Sequence, residues 1–490
     1  MSLTDLQQSL ADLSRHGTLV KDRGYRQIWR FEHAGKGYYL KFFPKEGARD
    51  WFRRRFRGSP AMEEFSRLQL LQKAKIPAPK PVAALMGFRI DDRVGDAVVI
   101  EAIEPSETLE NYLRRHQLAG LEVPNHPQLA KQVRELVQQL ADAGLGHKDL
   151  HLGNFLLSNG QLFLLDGYAV TTSGLKPDHV LLLGHSAAPY ATTTDFIRGW
   201  EQLIGNEPMP RTNRVSRRLW DQFFGRATGE NRYFGKLHDI ADDWSGHFVK
   251  RSVPRPWSLA SQLEFTKDDW SRHWPTLWRQ MQAGELQTLK RSLSGEVVAG
   301  EISVNGKALP IVIKRPKRRY WYRYLNEIGR GSRPRRAWMK AWRAIVRDLP
   351  TAWPLAILER RRFGYVVDAV IIFERVPGDV LADVDLSTMS ADDRDKYFRR
   401  VGRVLRKIES FGWSHFDAKA NNWIIHAAGQ PGGPWPVMLD IDSLRRRRWD
   451  ARGIQRLLKS MKLHPQYTPA DSLALCQGYA PDAPLVPEKE

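Results

Sequence analysis

Residues 146–157 read GHKDLHLGNFLL and are followed at 162–170 by LFLLDGYAV; far down the chain, WSHFDAKANNWIIH at 413–426 is followed by VMLDIDSL at 437–444. Each copy sets a histidine two residues before an aspartate, an asparagine five residues after it, and a second aspartate at the end of an apolar run. The residues are His147, Asp149, Asn154 and Asp166, then His415, Asp417, Asn422 and Asp440. A lone His-x-Asp is common by chance; the ordered set, occurring twice, is not.

The surroundings repeat as well. Upstream of the first copy, YRQIWRFEHAGKGYYLKFF (25–43) reads as two strands joined by a turn at Gly35–Gly37, the second strand carrying Lys41. AMEEFSRLQLLQKAKI (61–76) has helical spacing, with Phe65, Leu68 and Leu71 on one face ahead of Pro77. DAVVIEAI (96–103) then reads as a strand, and a helical stretch runs to Gly144. The order returns with LPIVIKRP around Lys314, the helical SRPRRAWMKAWRAIV, the strand YVVDAVIIFERV and a helix before Gly412. Lys41 and Lys314, Asp149 and Asp417, and Asp166 and Asp440 lie 273, 268 and 274 residues apart. Landmarks that keep one spacing indicate an internal duplication. The expected domains are 1–284 and 285–465, with a Pro- and Ala-rich tail over 466–490.

Composition bounds the reading. A chain of 490 residues with 42% hydrophobic content and 17 tryptophans has enough apolar material for two or three cores. A formal charge of +21 implies a polyanionic neighbour: nucleic acid, an anionic membrane surface or a phosphate-bearing substrate. The single cysteine, Cys476, excludes an internal disulfide and a zinc site of paired thiolates, and suits a reducing compartment. The start MSLTDLQQSLADLSRHG lacks a basic stretch followed by an apolar one, and no apolar run reaches about 18 residues. A cytoplasmic protein, with surface contact to a membrane still allowed, is the expectation.

Phosphoryl transfer asks a protein for a base beside the accepting hydroxyl and for oxygen ligands that hold magnesium on the phosphates. Asp149 suits the base, Asn154 and Asp166 the metal ligands, and Lys41 the neutralisation of phosphate oxygens. On these residues the sequence resembles the protein-kinase-like superfamily, whose catalytic loop reads HRDxxxxN ahead of a metal-binding aspartate. KIPAPKPVAA, HxDLHxGNxLL and LLDG in place of DFG resemble the lipopolysaccharide core kinases that phosphorylate Kdo or heptose; GSRPRRAW and LAILERR in the second half have the same character.

The resemblance implies an α+β fold of two tandem bilobal kinase-like domains, each with an antiparallel-sheet N-lobe and a mainly helical C-lobe, the second C-lobe reduced. It implies Asp149 and Asp417 as catalytic residues, Asn154, Asp166, Asn422 and Asp440 as magnesium ligands, and Lys41, Glu64, Lys314 and Lys419 as contacts to ATP. The partner of Lys41 is Glu64 or its neighbour Glu63. The corresponding helix position in the second half is Ala337, which leaves Lys314 less well placed and that half weakly active or regulatory. Neither half has a full glycine-rich loop: Gly24 stands alone in the first, and Gly300 and Gly306 are what the second offers. His147 and His415 are expected to brace backbone. The basic, aromatic segment 315–344 suits a membrane headgroup layer or the charged outer face of a helix, and no nucleic-acid partner is expected. The implied function is ATP-dependent phosphorylation of a sugar hydroxyl in an anionic glycolipid, the lipopolysaccharide inner core, at the cytoplasmic face of the inner membrane.

Overall fold

A computed structural model of the chain describes residues 10–187 and 227–479, apart from 11–12, 23, 46–57, 120–124, 242, 253, 294, 318–330, 364, 411 and 447–450. It divides into two compact units, Met1–Thr212 and Asn213–Glu490.

In the first unit, strands β1 (Thr18–Asp22), β2 (Gln27–His33), β3 (Lys36–Pro44), β4 (Pro81–Ile90) and β5 (Arg93–Glu101) form an antiparallel sheet in the order β1-β2-β3-β5-β4. Alternation along β3 sorts its side chains. Tyr38, Leu40 and Phe42 join a cluster with Trp29, Phe31 and Val99 on one face. Phe43 and Tyr39 face the other way, into a core shared with Leu68, Leu71, Leu140 and Phe155. Lys41 has the parity of that second face, where the helix Pro60–Lys73 packs against β3, β4 and β5. Beyond the sheet come the helices Leu109–Ala119, His126–Asp142 and Pro177–Ala187 and the hairpin of Phe155–Ser158 with Gln161–Leu164. This is the two-lobed order the resemblance implied.

The second unit repeats the sheet and enlarges it. Gln287–Ser292, Gly295–Val304, Lys307–Pro316, Tyr365–Glu374 and Pro354–Arg362 follow one another as β1, β2, β3, β5 and β4 do. Two further strands, Phe234–Ile240 and Trp244–Val249, pair on the outer edge of Pro354–Arg362. The expected boundary at 284/285 therefore falls inside this unit. The edge hairpin and the helix Lys267–Ala283 belong with the second sheet, because their tryptophans are its core. The helix starts in a capping box between Thr266 and Asp269 and buries Trp270, Trp274, Leu277, Trp278 and Met281 along one stripe. Trp244 packs edge-on against Trp274 and Trp278 at 5.1 and 5.0 Å.

Two more expectations change. Gly300 lies within a strand and Gly306 in the turn after it, so neither sits at the hairpin that corresponds to β1–β2, which turns at 293–294. The tail expected from 466 holds instead the helix Pro469–Tyr479, packed along Ala391–Ser410. A Cβ at Gly402 would run into the Leu475 carbonyl, and one at Gly478 into the Arg399 carbonyl. Only glycine at both places lets the two backbones approach so closely. Arg394 bonds both oxygens of Asp471 at 2.5 Å, and the Tyr479 hydroxyl donates to Glu409. Within the aromatic segment 315–344, residues 318–330 lie outside the described ones, while Trp338 and Trp342 on the helix Arg333–Ile345 are buried. These two rings serve the core and not a membrane.

Candidate active site

In the first unit, Lys41 Nζ on β3 pairs with Glu64 Oε1. Glu64 is 0% exposed, and its second oxygen, Oε2, is buried without a hydrogen-bond partner. Glu63, the alternative, pairs with Arg67 on its own helix at 3.7 Å. A buried carboxylate is costly unless paired, so Glu64 fixes the lysine in the cleft.

The loop that carries Asp149 is held from behind. His147 is fully buried, and its Nε2–H donates to the Leu165 carbonyl at 3.0 Å, one residue before Asp166. Burial lowers its pKa, so the ring is neutral and the Nε2–H tautomer is the one that makes this bond. Asn154 Nδ2 donates to the Asp149 backbone carbonyl at 2.7 Å, closing the loop across five residues. The Asp149 side chain is 57% exposed. The neighbouring His151 ring holds its carboxyl below the usual range, its Nε2 lying 3.6 Å from Asp149 Oδ2. His151 Nδ1 accepts from the Gly153 amide at 3.0 Å, which leaves the proton on the nitrogen that faces the aspartate. Burial works against the charged form of His151, yet the Asp149 carboxylate raises its pKa on balance.

Asp166 has left-handed backbone, φ 58° and ψ 64°, an uncommon conformation for a residue other than glycine. Its Oδ1 is buried with no hydrogen-bond partner, and Arg26 Nη1 lies 4.0 Å away. Arg26 is the site residue that sequence reasoning missed. Arg26 follows Gly24 in the β1–β2 turn; a cation where a glycine-rich loop is expected was the available signal.

The second unit places the same residues differently. Ala337 is the fifth residue of its helix, as Glu64 is of Pro60–Lys73, and it is buried. Among the described residues no carboxylate lies within 4.0 Å of Lys314, whose Nζ instead sits 5.2 Å from the centre of the Phe373 ring. Burial lowers the Lys314 pKa, opposed by the charges of Asp440 and Asp442. Asp440 has φ −96°, without the left-handed backbone of Asp166. Lys340 Nζ donates to the Asp442 carbonyl at 2.7 Å, and Arg333 Nε lies 3.3 Å from its carboxylate. Asp417 is clasped by Lys419 at 3.3 Å, Arg456 at 3.7 Å and Asn422 Nδ2, which donates to its carbonyl at 2.7 Å and its carboxylate at 3.1 Å. Burial pushes the Asp417 pKa up, but these partners bring it down overall.

His415 differs from the expected backbone brace: it acts through the opposite nitrogen and reaches backbone only by way of the Ser443 hydroxyl. Ser443 Oγ donates to the Asp440 carbonyl at 2.7 Å, so His415 Nδ1–H is the donor to Ser443 Oγ at 3.0 Å. Burial takes its pKa from 6.5 down to about 4, and burial beside Arg335 and Lys236 does the same to His247. A base with a depressed folded-state pKa contributes stability that is complete above 6.5 and lost as pH falls towards 4. The urea midpoint of the second unit should therefore drop between these values, with His415 alone accounting for about 3 kcal/mol. Tryptophan fluorescence reads it selectively, since all but Trp29, Trp51 and Trp200 lie in that unit. His415→Gln should flatten the slope; an unchanged slope would mean that His415 titrates normally.

The first unit carries a strand lysine held by a helix glutamate, Asp149 and Asn154 on one loop and Asp166 at a strand end, the residue set of a protein-kinase-like phosphotransferase; the second unit repeats the set without the glutamate. The model of the lipopolysaccharide kinase (Kdo/WaaP) family matches residues 13–167 and 334–479, together more than half of the chain. The chain belongs to this family. The RIO-type serine/threonine-protein kinase Rio1 of Haloferax volcanii is 31% identical over 110 residues, 22% of this chain; the chain spans about a third of that relative's length, 33%. Among solved structures, WaaP in complex with acyl carrier protein is 20% identical with a TM-score of 0.31, covering 44% of this chain and 89% of that one. A thermostable mutant of aminoglycoside phosphotransferase APH(4)-Ia, in its apo form, is 11% identical with a TM-score of 0.30 and the same coverage, 44% and 89%.

Proposed function

We propose that the first unit is an ATP- and magnesium-dependent phosphotransferase acting on a sugar hydroxyl, of heptose or Kdo, in the lipopolysaccharide inner core at the cytoplasmic membrane face. The observation that carries this reading is the buried Lys41–Glu64 pair in the same unit as Asp149, Asn154 and Asp166. Lys41 pairs with the α and β phosphates. Asp166 and Asn154 suit a magnesium ion: Asp166 Oδ1 is buried without a hydrogen-bond donor, and Asn154 commits its amide N–H to Asp149, which leaves its oxygen to bind. Among the described residues no group of three or more His, Cys, Asp or Glu is arranged to hold a metal, so phosphate and water oxygens complete the shell. The ion supplies neutralisation of the phosphate charge. Asp149 orients the acceptor hydroxyl and takes its proton, and Arg26 adds a cation where other kinases use backbone amides.

The test is transfer of labelled phosphate from ATP to extracted core, followed by mass. A phosphate-sized mass increase on the glycolipid is expected; an increase on protein alone would replace the glycolipid acceptor with a protein one, as the partial match to a serine/threonine-protein kinase allows. Removing the partner of Lys41 in Glu64→Gln should weaken ATP binding about tenfold in calorimetric titration. Equal affinity in the variant would mean that Lys41 needs no anchor.

A second reading applies to the second unit. Ala337 in place of the glutamate and the cations around Asp417 favour a nucleotide- or membrane-binding regulator over a second active site. Asp417→Ala with Asp440→Asn should then leave total turnover unchanged.

A further inference from the structure

The two copies diverge sharply at one hairpin turn. In the first unit, Ile90 pairs with Arg93 across the two-residue turn Asp91–Asp92. In the second, Arg362 pairs with Tyr365 across residues 363–364 at the equivalent place. The leading residue of each turn has φ +49°, Asp91 in one copy and Phe363 in the other. Aspartate tolerates that backbone, whereas a bulky ring is disfavoured there and gains nothing from packing, because Phe363 is 98% exposed. Tyr365 beside it is 49% exposed, and Arg361 and Arg362 are exposed on the approaching strand. Neither local conformation nor the core accounts for an aromatic tip with basic flanks.

We propose that the exposed side chains of Arg362, Phe363 and Tyr365 dock the second unit on an anionic lipid bilayer, with Phe363 and Tyr365 entering the headgroup boundary and Arg362 meeting a lipid phosphate. A lipid surface uses both features, whereas an acidic peptide would engage the arginine and leave Phe363 in water; a single-stranded nucleic acid would stack on Phe363, and competition by oligonucleotide for the vesicle-binding site is the outcome that would favour it. The local carboxylates leave cationic charge at the tip. Glu359 takes Arg361 at 2.6 Å and Asp368 is held by Arg315, while Asp239 and Asp243 are exposed on the neighbouring hairpin; Arg362 points its charge outward at the apex without an ion pair among the described residues. The proposal deepens the membrane-face reading above and rests on it for its biological setting, though the turn itself supplies the argument.

Full-length protein is sedimented with vesicles of mixed phosphatidylglycerol and phosphatidylcholine, or of phosphatidylcholine alone. Wild type should bind the anionic vesicles and lose that binding on the neutral ones. Phe363→Ser should weaken it about tenfold, and Arg362→Ala about fivefold. Phosphate transfer to a lipid-free core oligosaccharide should be the same in all variants. An environment-sensitive dye on Phe363→Cys, in a Cys476→Ala background, should shift to the blue on anionic vesicles. Equal vesicle binding by wild type and tip variants, or an unshifted dye, overturns the proposal. Absence of transfer to the oligosaccharide by wild type would instead count against the sugar-kinase reading, with the vesicle result deciding the tip by itself.

Discussion

Asp149→Ala should reduce phosphate transfer about a thousandfold, the middle of the range for a positioned general base, while the circular dichroism spectrum and urea midpoint stay at wild-type values. Stability is spared because the Asp149 side chain is more than half exposed; what it has from the protein is the nearby His151 ring at 3.6 Å, not a place in the core. The loop keeps its shape in the variant, since Asn154 is tied to the Asp149 backbone carbonyl and His147 to that of Leu165. ATP affinity should therefore persist, placing the loss in turnover. The counterpart change Asp417→Ala removes a carboxylate already occupied by Lys419 and Arg456 and should leave transfer intact. If Asp417→Ala abolishes transfer and Asp149→Ala does not, the active cleft is the second one.

Trp338→Ala should destabilise the second unit by about 4 kcal/mol, as expected for a large aromatic removed from a core that cannot collapse around the gap. Trp338 is fully buried, lies 6.1 Å from the Phe234 ring and 5.7 Å from Trp342, and donates its indole N–H to the Ala227 carbonyl at 3.0 Å. Truncation leaves that carbonyl unpaired as well as opening a void. A shift in the fluorescence-detected urea midpoint measures the loss. A change below about 1 kcal/mol would mean that residues 227–249 contribute little to this core, and would restore the later domain boundary.

What was legible in the sequence was what lies close together along it. The set His147, Asp149, Asn154 and Asp166 spans one loop and one hairpin, so spacing alone exposed the chemistry, and Ala337 could be matched to Glu64 because both helices follow a strand lysine. The domain boundary was not legible, because Phe234–Ile240 and Trp244–Val249 join the second sheet through pairing with Pro354–Arg362, more than a hundred residues away. Trp338 and Trp342 lie four residues apart among arginines; that pattern fits a buried stripe and an exposed aromatic surface equally, and only the partners Phe234 and Trp353 decide it. Arg26 and Phe363 were missed for a related reason. Each is a single residue in a turn, and its meaning comes from Asp166 in one case and from solvent in the other.

The glycine-to-backbone crossing of Ala391–Ser410 and Pro469–Tyr479 has a practical corollary for anyone shortening this protein. Trimming at residue 465, where proline and alanine make the sequence look dispensable, would unseat a helix whose Leu475 and Tyr479 are buried and would take Asp471 from Arg394 and the Tyr479 hydroxyl from Glu409. An affinity handle belongs after residue 490, and a C-terminal protease clip is harmless only while it spares Tyr479.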